Sequence, residues 1–102
     1  MDIGFAIRDL RRGQNITLKE VAEKTGLSVS QLSSMETGRR KVSIDTLKEI
    51  ARAIDIPVPV IVYWGSKPGE LADFSEDAER SMNEVVSKIL RDRAARRHAA
   101  NT

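Results

Sequence analysis

No cysteine occurs among the 102 residues of this chain. Disulfide staples, thiolate metal ligands and cysteine nucleophiles are therefore excluded, and a reducing compartment is expected. Aromatic residues make up only 4%, so aliphatic side chains must supply the core. The one histidine, His98, lies near the carboxyl terminus without a ligand or nucleophile pattern around it. Long apolar runs are missing too. No stretch without a charge is longer than the 11 residues of 56–66, short of the roughly 20 apolar residues that cross a bilayer. Asp2, Arg8, Asp9, Arg11 and Arg12 occupy the region where a signal peptide would be apolar. A cytoplasmic location with no membrane partner is the expectation. There is no glycine-rich phosphate loop, metal-ligand cluster or nucleophile–base arrangement. The chain is expected to have no catalytic residue, no metal and no cofactor, and not to be an enzyme.

What is present is 40% hydrophobic and 31% charged residues, with a formal net charge of only +2. Such a chain supports one domain with a modest core. Total charge does not announce a polyanionic partner; clustering matters more, and Arg39, Arg40 and Lys41 are adjacent.

Helical spacing organises most of the chain. Ile3, Ala6, Ile7 and Leu10 mark a first helix over residues 3–14, capped by Asp2 and ended by Gly13 and Asn15. Leu18, Val21 and Ala22 give a second helix its apolar face, and Leu32 and Met35 do so for a third. Ser43 caps a fourth, whose Ile44, Leu47, Ile50, Ala51 and Ile54 form a broad stripe. It ends at Asp55, ahead of Ile56-Pro57. Residues 58–64 are ambiguous: Val, Ile and Tyr favour a strand, whereas Pro59 suits the first position of a short helix. A lone strand would leave backbone groups unpaired, so a short helix is expected. Residues 65–73, with Pro68-Gly69, read as a linker. Ser75 precedes Glu76, Asp77 and Glu79, acids suited to the positive start of a helix rather than to acid–base chemistry. Ala78, Met82, Val85, Val86, Ile89 and Leu90 give that helix an apolar face. Arg91, Arg93, Arg96 and Arg97 crowd its end, and residues 98–102 are expected to fray.

The most informative stretch is residues 17–42. Thr17-x-x-Glu20 is a capping box, and Ser28-x-x-Gln31 repeats the device eleven residues later. Gly26 stands between them, where one short helix must stop and the backbone reverse. The second of these helices is small and polar outside, where a merely solvated helix would carry charge. Two short helices, a tight turn and a basic loop afterwards are what a helix-turn-helix reader of DNA requires.

Together, Ile7-Arg8-x-Leu10-Arg11, Thr17-Leu18-x-Glu20-Val21-Ala22, Gly26-Leu27-Ser28, Leu32-Ser33-x-Met35-Glu36-x-Gly38 and Leu47-x-x-Ile50-Ala51-x-Ala53 resemble the Cro and phage-repressor type of helix-turn-helix, also called the xenobiotic-response-element family. The resemblance runs from about residue 3 to residue 64. It implies an all-α, five-helix, lambda-repressor-like DNA-binding domain over residues 1–65. Residues 66–102 would then be a linker and an additional C-terminal amphipathic helix. It also implies that the third helix lies in the major groove, which is wide enough for one α-helix, and the second across the backbone.

On that resemblance Ser28, Val29, Ser30, Gln31, Ser33 and Ser34 are the expected base-reading residues, although the capping box competes for Gln31. Thr17 and Lys19, beside the free amides that open the second helix, join Arg39, Arg40 and Lys41 as expected phosphate contacts. Arg11 and Glu36 match a partly buried structural ion pair. Two features depart from better-known members. Leu18 stands where many relatives have a phosphate-reaching glutamine, and the reading helix has serines but no arginine. Weaker direct readout is expected, with a larger share from DNA shape.

Double-stranded DNA and a second copy of the chain are the expected partners, with the protein associated with the nucleoid. Tyr63 and Trp64 follow an apolar segment where relatives often dimerise, and Met82, Val85, Val86 and Ile89 are expected partner contacts. The stripe from Met82 to Leu90 remains open to three readings: packing in cis, pairing with a second subunit, or binding another protein. The functions implied are a repressor on a near-palindromic operator, an autorepressing antitoxin, or an adaptor that uses the fold for protein contacts.

Overall fold

The computed structural model describes residues 1–67, 70 and 76–101. Among these the chain forms six helices and no strand: α1 (Ile3–Gly13), α2 (Leu18–Thr25), α3 (Val29–Glu36), α4 (Ile44–Ile54), α5 (Val58–Gly65) and α6 (Glu76–Asn101). No helix among the described residues is long and apolar enough to cross a membrane.

Local chemistry starts four of these helices. Asp2 caps α1 by accepting from the Phe5 amide at 2.9 Å. Thr17 and Ser28 close full capping boxes with Glu20 and Gln31, and Ser43 accepts from the Thr46 amide. Each side chain satisfies an amide that the first turn leaves without a helical acceptor. Between α2 and α3, Gly26 takes φ +76°, a left-handed conformation that most residues adopt only at a cost.

The core is aliphatic. Ile7, Leu10, Val21, Leu32, Ile50, Ile54 and Ile61 are its largest fully buried side chains, drawn from all five helices of residues 1–65. Gly4 lets α1 sit directly on the end of α3, since a Cβ there would lie 2.3 Å from the Met35 carbonyl oxygen. Gln14 is buried and donates to the carbonyls of Leu10 and Ile54 at 3.2 and 2.9 Å. It thereby ties the end of α1 to the end of α4.

Residues 58–65 are helical despite their strand-favouring composition. Ile61 is buried and α5 packs along α1, so tertiary burial decides where propensity is weak. Pro57 is the N-cap and Pro59 stands at the second position, not the first; its missing N–H costs nothing in a turn that has no acceptor for it. Gly65 belongs to α5 rather than to the linker, its carbonyl accepting from the Asp2 amide at 2.7 Å. The Ser75 cap, the Pro68-Gly69 pair and Thr102 lie outside the described residues. Fraying from residue 98 is not observed: the α6 backbone stays helical through Asn101.

α6 lies against α1. Val86 and Leu90 enter the core and Met82 packs at its edge, with Leu90 over Gly13. Burying two such side chains stabilises the docked helix by about 1.5–3 kcal/mol each.

Candidate nucleic-acid interface

The seat of α3 is set by a buried ion pair. Arg11 donates from Nε and Nη2 to the two Glu36 oxygens at 2.7 and 2.9 Å, and from Nη1 to the Ile16 carbonyl at 2.8 Å. The two side chains are only 7% and 5% exposed. One guanidinium therefore fixes α1, the end of α3 and the loop into α2 relative to each other, with bidentate geometry that lysine could not supply.

With Leu32 and Met35 turned inward, α3 presents a small polar face. Ser28, Ser30 and Ser33 are exposed, Ser34 is half-buried and Val29 is 44% exposed. Gln31 is half-buried and held in the cap, its Oε1 accepting from the Ser28 amide at 2.9 Å. It can reach a base only by giving up that bond. α6 packs on α1 and has no helix–helix contact with α3, so the serine face is not covered by the C-terminal helix.

At the far end of α3 the backbone folds back on itself. The amides of Arg39 and Arg40 both donate to the Ser34 carbonyl, at 2.9 and 3.1 Å, and Gly38 takes φ +81°. This places Arg39, Arg40 and Lys41 beside the serine face, all exposed. Among the described residues none of the three has a carboxylate partner. At the start of α2, Thr17 and Lys19 are exposed, although the Thr17 hydroxyl already bonds Glu20.

The residues expected to meet a partner divide. Val86 is instead part of this chain's own core and Met82 is half-buried at its edge, whereas Val85 and Ile89 are 54% and 39% exposed. Tyr63 and Trp64 are half-buried with their polar atoms engaged. Trp64 Nε1 donates to Asp9 at 2.5 Å, and the Tyr63 hydroxyl bonds the Glu79 carbonyl and Asn83 at 3.0 and 3.1 Å. Burial, and then the nearby Glu79 charge, push the Tyr63 phenol pKa up. No group of three or more histidine, cysteine, aspartate or glutamate residues among the described residues could hold a metal ion.

One cluster escapes a reading of the sequence. Arg97 donates to both oxygens of Glu20 and to the Asn15 carbonyl, while Arg93 reaches Gln14 and the Asp55 carbonyl. The Arg97 hydrogen bond is the largest influence on Glu20, whose pKa it lowers against a smaller effect of burial. Val86, Leu90, Arg93 and Arg97 continue one i, i+4, i+7, i+11 stripe, which marks the docked face of α6 but not the partners of the arginines.

Residues 7–61, just over half of the chain, match the family described as helix-turn-helix. The chain is 30% identical over 93 residues to the immunity repressor protein of Bacillus phage phi105, covering 90% of this chain and 65% of that one. It is 31% identical over 88 residues to the HTH-type transcriptional repressor RghR of Bacillus subtilis, covering 85% of this chain and 62% of that one. A third relative, the HTH-type transcriptional regulator DdrOP3 of Deinococcus deserti, is 36% identical over 80 residues, covering 70% and 62%. The chain spans less than two thirds of the length of each. No solved structure matches it. The chain belongs to the helix-turn-helix family.

Proposed function

We propose that the chain is a sequence-specific repressor that binds a near-palindromic operator as a homodimer. The observation that carries this reading is the largely exposed serine face of α3, seated by Arg11–Glu36 and bordered by three cations that have no carboxylate partner among the described residues. The names of the phage phi105 and Bacillus subtilis relatives support repression. Residues 1–65 are the DNA-reading unit in this proposal, and residues 66–102 an appended linker and helix that brace it.

α3 enters the major groove. Ser28, Ser30, Ser33 and Ser34 donate to or accept from base edges, and Val29 lies against a thymine methyl. Arg39, Arg40 and Lys41 contact phosphates on one side of the groove, and Thr17 and Lys19 with the first amides of α2 on the other. Val85 and Ile89, with the half-buried Met82, Tyr63 and Trp64, form the apolar surface that pairs two copies. Two half-sites then lie about 34 Å apart, one helical turn.

Selection of bound fragments from a random DNA pool tests all of this at once. Enrichment of an inverted repeat with one-turn spacing is the expected result. A pool that emerges unenriched, from a protein that sediments as a monomer, would reject both sequence reading and symmetry.

A further inference from the structure

From α6 the Arg97 side chain reaches the start of α2. Arg97 Nη2 donates to the two Glu20 oxygens at 2.7 and 2.8 Å and to the Asn15 carbonyl at 3.2 Å. Glu20 in turn accepts from the Thr17 amide and hydroxyl, both at 3.3 Å. Arg97 therefore stands one carboxylate away from the residue that opens α2. One turn earlier, Arg93 is occupied by Gln14 and Asp55. Arg96 is different: it is exposed, among the described residues its side chain bonds only the Asp92 carbonyl of its own helix at 3.4 Å, and it lines a surface hollow with Asp55 and with Lys24 in the last turn of α2.

The charges explain why this matters. On α2 itself Lys19 and Lys24 are balanced by Glu20 and Glu23, so the helix alone offers a polyanion no net attraction. A phosphate approaching the amides at the start of α2 would meet the Glu20 carboxylate beside them. Arg97 neutralises that carboxylate and Arg96 adds a second cation, leaving two positive charges in excess where α2 alone has none.

We infer that the end of α6 and the start of α2 form a second backbone-contact surface for the duplex, in which Arg96 meets a phosphate and Arg97 removes the repulsion of Glu20. This rests on the DNA-binding reading proposed above. Such a surface supplies from a separate helix a phosphate contact that Leu18 cannot make.

Salt dependence of binding to a selected duplex about three helical turns long tests the inference. Each phosphate contact contributes about 0.9 to the slope of log affinity against log salt. Arg96→Ala removes one such contact from each subunit of the dimer and should flatten the slope by about 1.8, so that its affinity deficit shrinks roughly twelvefold between about 50 and 200 mM salt. Arg97→Gln should weaken binding, and adding Glu20→Gln should restore most of the loss, because the double variant has no exposed carboxylate at the helix start. Circular dichroism confirms that each variant keeps its helices. If the wild-type protein binds, Arg39→Ala flattens the slope and Arg96→Ala does not, the α6 surface is overturned and the DNA-binding reading stands. If the wild-type protein binds no duplex at low salt, both are rejected.

Discussion

Arg11 and Glu36 are two charges placed where water cannot reach them, and their effect on stability is asymmetric. The pair itself adds little, because desolvation offsets attraction, but removing one partner strands the other. Glu36→Ala would leave a buried guanidinium with only the Ile16 carbonyl as acceptor. We expect a loss of about 3–5 kcal/mol in urea unfolding; a loss below about 1 kcal/mol would mean that water replaces the carboxylate. Gly4 imposes a steric limit at the same seat. An alanine Cβ would lie 2.3 Å from the Met35 carbonyl oxygen and 2.9 Å from that of Glu36, both backbone atoms that cannot rotate aside. Gly4→Ala should cost about 1–3 kcal/mol, read from the same unfolding curves, and should push α1 away from α3.

At the level of elements, caps and outward side chains have separable effects. The Ser28 hydroxyl accepts from the Gln31 amide at 3.0 Å and starts α3, so Ser28→Ala should cost about 1 kcal/mol, seen as a lower urea midpoint. Ser30 and Ser34 make no cap. Replacing both with alanine should leave that midpoint within about 0.5 kcal/mol, as ordinary surface substitutions do, and alter which sequences are selected from a random pool. An unchanged preference would transfer base reading to another surface. The same division explains what was legible in the sequence. Thr17–Glu20 and Ser28–Gln31 are devices three residues long, with their partners inside the motif, so they can be recognised without the fold. Residues 58–65 are harder, because Val, Ile and Tyr favour a strand whereas Pro59 suits a helix start, and only Ile61 packing along α1 settles the matter. Arg93 and Arg97 were hardest. Their partners Gln14, Asn15, Glu20 and Asp55 are dozens of residues away, and the stripe they share with Val86 and Leu90 marks their face without identifying a partner at that separation. The base-reading and phosphate residues are placed from the family resemblance; most of them are exposed, whereas Gln31 and Ser34 are half-buried.

For the molecule as a whole, the docking of α6 joins the apolar contacts of Val86 and Leu90 to an ionic contact at the far end. That contact gives docking a pH dependence whose sign is fixed. The Glu20 pKa is lowered from its ordinary value of 4.5, chiefly by the Arg97 hydrogen bond. A carboxylate depressed on folding stabilises the folded state above its unfolded pKa and loses that contribution as pH falls through the folded one. Both side chains are about one third exposed, so solvent screening keeps the effect modest. Glu20→Gln is the informative variant, since glutamine preserves the capping box and removes only the charge. At neutral pH the wild-type protein should be the more stable and its α6 amides the slower to exchange. The difference should shrink as pH drops below the ordinary carboxylate range and vanish once Glu20 is protonated. A stability gap that is constant from neutral to acid would show that Arg97 responds to the shape of the side chain rather than its charge.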